Sequence, residues 1–154
     1  MGNPFMARAI QLAIDNVRSG GGPFGAVVVK DGQIIAEGAN SVTATNDPTA
    51  HAEVVAIRKA CAALGTFDLD RCEIYTSCEP CPMCLGAIYW ARPARVYFGS
   101  TAADASKAGF DDSLIYGEIP RPYAERKIPT QQLMAEEAIE AFRAWERQPN
   151  KIPY

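Results

Sequence analysis

Only one histidine occurs in the 154 residues, His51, so any site that uses an imidazole must be built around it. No lysine- or arginine-rich run appears, and 15 Lys+Arg against 18 Asp+Glu leave a net charge of −3. A dedicated nucleic-acid binder would carry a basic stripe, so the charge balance favours a small-molecule substrate and makes nucleic acid an unlikely partner. No apolar run is long enough for a membrane span, which needs roughly 18 or more residues. The first residues also lack the basic-then-apolar layout of a secretory signal. The expectation is therefore a cytoplasmic protein with no membrane partner. Gly21-Gly22-Pro23-Phe24-Gly25 lacks the Gly-Lys-Ser/Thr ending of a phosphate loop. Internal repeats and low-complexity tracts are missing as well. The cysteine count is five, an odd number, with Cys78, Cys81 and Cys84 crowded together. That crowding suits metal binding in a reducing compartment better than a disulfide framework.

What is present reads as one domain over 1–154, with 48% apolar and 21% charged residues. Residues 4–18 place Met6, Ile10, Leu12, Ala13, Ile14 and Val17 at helical spacing. Ser19 to Pro23 breaks that helix. Asp31-Gly32 between 24–30 and 33–38 predicts a β-hairpin. Residues 40–49 read as a loop, and Ala50 to Leu64 as a helix ending at Gly65. Glu73 to Thr76 reads as a strand, Met83 to Trp90 as a helix stopped by Arg92-Pro93, and Arg95 to Gly99 as a further strand. Residues 100–130 are interrupted by Gly109, Pro120, Pro122 and Pro129, and 135–147 form a last helix before a tail. This order describes an α/β protein, a three-layer α-β-α sandwich around a mixed central sheet.

His51-Ala52-Glu53 sets a carboxylate beside the imidazole, and Cys78-Glu79-Pro80-Cys81-Pro82-Met83-Cys84 follows about 30 residues later. One imidazole and two thiolates at CxxC spacing supply three zinc ligands, leaving a fourth position for water and Glu53 as the base. CxxC at a helix start puts both sulfurs on one side, where the helix dipole favours thiolates. A lone histidine or a lone CxxC would more often be core; the combination favours a metal site. Cys78 stays open as a fourth ligand that would make the zinc structural and the protein a binding module. Cys61 and Cys72 read as buried small residues. Phe24 serves equally as a core residue or a ligand contact. Tyr89 and Trp90 suit packing or stacking on a flat heterocycle, and Asp111-Asp112 reads by itself as solvated loop charge.

The His51-x-Glu53 and Pro80-Cys81-x-x-Cys84 pair, extended by Gly21 to Gly32, Asn46 to Glu53, Thr76 to Trp90 and Ala108 to Ser113, resembles the cytidine-deaminase superfamily. Within it the chain is similar to the bacterial guanine deaminases, through Gly109-Phe110-Asp111-Asp112 and the closing Tyr154. The resemblance implies a cytidine-deaminase-like fold and hydrolysis of guanine to xanthine and ammonia. One zinc per subunit would sit on His51, Cys81 and Cys84, with Glu53 as the catalytic proton shuttle. It implies that Asn40 and the Ala52 backbone hold the purine and that Asp112 accepts from the 2-amino group; Phe24 and Trp90 are the aromatic side chains expected to border the substrate. Glu79 and Glu137 would assist proton traffic. The expected assembly is a homodimer in which 135–154 swap between subunits and Tyr154 acts in trans. Other readings are a tRNA adenosine deaminase, a deaminase of cytosine or a triazine, and a non-enzymatic structural zinc domain.

Overall fold

The protein is described by a computed structural model over residues 2–154. It divides into two compact units, Met1–Asp112 and Ser113–Tyr154.

The first unit begins with α1 (Pro4–Arg18). Asn3 caps it by accepting from the amides of Phe5 and Met6, both at 2.9 Å, and Pro4 takes the first helical position. Strands β1 (Gly25–Lys30) and β2 (Gln33–Ala39) pair antiparallel as the Asp-Gly dipeptide predicts. Asp31 and Gly32 both turn through positive φ, 50° and 74°, which is the geometry that favours this dipeptide in a two-residue turn. The stretch 40–49, expected to be all loop, contains a one-turn helix α2 (Val42–Thr45). One turn is too short to show a hydrophobic period. Next come α3 (Ala52–Leu64), β3 (Cys72–Cys78), α4 (Pro82–Ala91), β4 (Arg95–Ser100) and α5 (Ala102–Lys107).

The sheet order is β2-β1-β3-β4, with β3 antiparallel to β1 and parallel to β4, so the sheet is mixed. β1 is buried on both faces. Ala26 and Val28 enter a core with Ala56 and Ala60 of α3 and Ile88 of α4; Val27 and Val29 enter a second core with Ala9 of α1 and Tyr75. Helices therefore cover both faces of the sheet, the three layers expected from the element order. β2 and α3 meet at Gly38, where a Cβ would stand 2.3 Å from the Ala52 carbonyl oxygen and 2.6 Å from the Ala56 nitrogen. Only glycine lets the strand and the first turn of the helix approach this closely.

The second unit holds α6 (Ser113–Glu118), a 3₁₀ turn (Tyr123–Glu125) and α7 (Ala135–Arg147). Its loops are tied by the Glu118 carboxylate, which accepts from the Lys127 amide at 2.7 Å, and by Arg126 lying over the Tyr123 ring. The helix 135–147 falls where the sequence places it. No helix among the described residues is long and apolar enough to cross a membrane.

Candidate metal centre and active site

Two helix starts carry the metal donors. His51 stands one residue ahead of α3, as its N-cap, and not inside the first turn as the sequence suggests. Its backbone is extended and its side chain makes no capping bond, which leaves the ring free to face the cysteines. Cys81 is the N-cap of α4, and its sulfur accepts from the Cys84 amide at 3.5 Å. The positive ends of both helix dipoles thus meet where two thiolates would carry charge.

His51 Nδ1 lies 3.5 Å from Cys81 Sγ and 3.5 Å from Cys84 Sγ. A tetrahedral ion with Zn–S of about 2.3 Å and Zn–N of about 2.05 Å holds nitrogen and sulfur about 3.6 Å apart. The spacing therefore fits zinc. Among the described residues these three form a candidate metal group, with all donor atoms within 4.8 Å of one another. Cys78 is not in it: its sulfur lies 3.7 Å from the Thr101 carbonyl oxygen, and burial pushes its thiol up. Cys72 is buried and Cys61 half-buried, with both thiols also pushed up by burial.

The two metal-facing thiols titrate as a pair. The hydrogen bond from Cys84, with help from His51 and the Cys84 amide, pushes Cys81 down to about 4. Cys84 is pushed up, first by its bond to Cys81 and then by burial and the charge of Glu53. Near neutrality the pair holds one proton, which a divalent cation must displace.

Glu53, on the first turn of α3, is 5% exposed. Its Oε1 accepts from the Thr76 hydroxyl at 2.9 Å, and its Oε2 lies 3.3 Å from Cys84 Sγ. The carboxylate therefore borders the metal donors without joining them.

Asn40, Ala52, Phe24 and Asp112 also lie in the first unit. Asn40 Oδ1 accepts from the Val42 amide at 3.2 Å. Asn16 of α1 secures this position, donating from Nδ2 to the carbonyls of Gly22 at 2.7 Å and Asn40 at 2.8 Å. Ala52 is fully buried beside His51. Phe24 packs edge-on to Phe110 at 5.0 Å between ring centroids, bringing the 108–112 segment to the β1 entry. Asp112 is close enough for the charges of Cys81, Asp111 and Glu79 to act on it, and burial first of all lifts its carboxyl above the usual range.

Glu79 makes a bond that sequence did not suggest. Glu79 accepts from the Ala102 amide at 2.7 Å, so one of its oxygens holds the start of α5. Trp90 is 63% exposed at the end of α4. Glu137 lies in the first turn of α7, and Tyr154, 73% exposed, ends the chain; both belong to the second unit. Sequence reasoning assigns no individual role to Thr76, Asn16 or Phe110. A signal for Thr76 exists, since it is the hydroxyl in the alternating buried set Cys72, Ile74, Thr76, Cys78.

A family model described as the cytidine and deoxycytidylate deaminase zinc-binding region matches residues 2–100. The chain belongs to this deaminase family. As a member it carries the zinc-binding region, and His51, Cys81 and Cys84 are its candidate zinc ligands. It is 60% identical to guanine deaminase of Bacillus subtilis (strain 168) over 151 residues, 97% of each chain. The crystal structure of guanine deaminase from Bacillus subtilis matches with a TM-score of 0.96 and 59% identity, covering 100% of this chain and 99% of that one. A tRNA-specific adenosine deaminase from Aquifex aeolicus (strain VF5) is 36% identical over 136 residues, 88% of this chain and 87% of that protein.

Proposed function

We propose that this deaminase hydrolyses guanine to xanthine and ammonia, a step in purine breakdown, in the cytoplasm. The reading is carried by the 60% identity to guanine deaminase across 97% of both chains, against 36% to the tRNA enzyme. Asp112 within electrostatic reach of Cys81 adds a carboxylate suited to an amino-bearing purine.

When bound by His51, Cys81 and Cys84, zinc supplies a Lewis acid that lowers the pKa of water to about 7. Glu53 takes one proton of the attacking water as the C2–O bond forms and gives it to ring nitrogen N3, where it stays. It then takes the remaining hydroxyl proton and gives it to the 2-amino nitrogen as the C2–N bond breaks. Such positioned proton transfer contributes about 10²–10⁴-fold. Burial serves this role, because it keeps competing water from the carboxylate. Asn40 donates to the purine, the Ala52 backbone lines it, Asp112 accepts from the departing amine, and Phe24 and Trp90 border the ring. Glu79 and Glu137 assist proton movement from outside.

The working form is a homodimer in which the single domain of each chain lends 135–154 to its partner and Tyr154 closes the partner's site. α7 supports this by leaving Ile139, Phe142 and Trp145 exposed at helical spacing, an apolar stripe suited to docking.

Ammonia release measured on guanine, guanosine, adenine, cytosine and an aminotriazine tests the substrate, and guanine is expected to lead. Turnover highest on another of these amines would replace it. Glu53→Gln is expected to keep zinc and lose turnover.

A further inference from the structure

Along β3 the side chains of Cys72, Ile74, Thr76 and Cys78 share one face of the sheet. Cys72 and Ile74 pack there against Ala56, Ala60 and Ile88, so the face is apolar until Thr76 interrupts it. Thr76 is 1% exposed and its hydroxyl has two acceptors in reach, Glu53 Oε1 at 2.9 Å and the Cys78 carbonyl at 3.1 Å. A hydroxyl has one hydrogen to give. Opposite a carboxylate the charge-assisted bond is the stronger one, so the hydrogen goes to Glu53 Oε1.

That bond divides the two oxygens of Glu53. Oε1 is held from the strand side, while Oε2 is turned to the metal donors, 3.3 Å from Cys84 Sγ. We propose that Thr76 is a positioning residue for deamination, holding Glu53 through Oε1 so that Oε2 is the oxygen that handles the proton. The proposal rests on Glu53 being the proton carrier. It concerns a side chain on a different element, 23 positions away in sequence.

Thr76→Val keeps the branched shape and removes the hydroxyl; Thr76→Ser keeps the hydroxyl and removes the methyl group. In the zinc-loaded enzyme, Thr76→Val is expected to lower kcat on guanine by about 10–100-fold with KM changed less than about threefold, the pattern of a misplaced group acting in the transition state. Zinc content is expected to stay at one ion per chain, and Thr76→Ser to keep kcat within about threefold. A Thr76→Val enzyme with wild-type kcat overturns the proposal. Equal losses in the Ser and Val variants also overturn it, because they would assign the effect to packing. If Thr76→Val does not fold, the comparison of Thr76→Ala with Thr76→Ser isolates the same hydroxyl, and equal kcat values reject the role. Glu53→Gln distinguishes the two roles. Retained turnover in that variant removes the proton-carrier reading itself, whereas a dead Glu53→Gln beside a fully active Thr76→Val removes only Thr76.

Discussion

Gly38 and Ala52 touch backbone to backbone: a Cβ on Gly38 would lie 2.3 Å from the Ala52 carbonyl oxygen. Ala52 sits between the zinc-type histidine and the glutamate, so the closeness of β2 to α3 sets where both functional side chains start. Gly38→Ala is expected to push α3 away and cost about 1–3 kcal/mol by overpacking. Thermal melting and zinc analysis of the variant check this. A variant with unchanged melting temperature and full zinc would show that the helix shifts without consequence.

Zinc binding should release protons. Cys81 is already down at about 4 while Cys84 is pushed up by its neighbour, so the metal-free pair keeps one proton that the ion displaces. Apparent zinc affinity is then expected to fall as pH is lowered, because protons compete for the same sulfurs. Calorimetry in two buffers of different ionisation enthalpy measures the proton count. Cys81→Ala, Cys84→Ala and His51→Ala should each abolish stoichiometric zinc.

Asp112→Asn separates recognition of the amine from recognition of the purine. Burial and the charge of Cys81 act directly on its carboxyl. Guanine turnover is expected to fall about 10²-fold, a loss of about 2.7 kcal/mol in the transition state. Xanthine, which lacks the 2-amino group, should bind the variant nearly as well as the parent. Equal weakening of xanthine binding would place Asp112 in general ring contact instead.

Arg8 of α1 and Glu37 of β2 form a two-pronged ion pair, with both hydrogen bonds at 2.7 Å. The Arg8 hydrogen bond holds the Glu37 carboxyl below its usual range. A depressed carboxylate pKa adds stability above the unfolded value, about 4.3, and loses it as pH falls through the folded value. Both side chains are more than a third exposed, at 42% and 37%, so solvent screening limits the pair to about 0.2–1 kcal/mol. A double-mutant cycle of Arg8→Ala and Glu37→Gln should show that coupling at pH 7 and none in strong acid. Coupling that persists at low pH would mean the pair acts through packing.

Elements with strong local signals are legible in the sequence. The Asp31-Gly32 turn, the helix over 4–18 and the helix over 135–147 depend on near neighbours along the chain, and their boundaries agree closely. The short helices α2, α5 and α6 show no hydrophobic period, because four to six residues complete fewer than two helical turns. In the site, the donor types and spacings name the metal group. Glu79 shows the limit: its carboxylate accepts from Ala102, 23 positions away, and no local pattern announces that bond.

The chemistry open to this protein follows from its residue types alone. One imidazole, three clustered cysteines at CxxC spacings and one neighbouring carboxylate are groups whose identity already limits what they do. Their arrangement is a product of the tertiary fold. The helix starts at His51 and Cys81 converge to a 3.5 Å nitrogen–sulfur spacing, and α3 is seated against β2 at Gly38. Thr76 reaches Glu53 because strand alternation turns its hydroxyl into that layer. Residue types are local properties, whereas ångström-scale placement depends on packing between segments far apart in the chain.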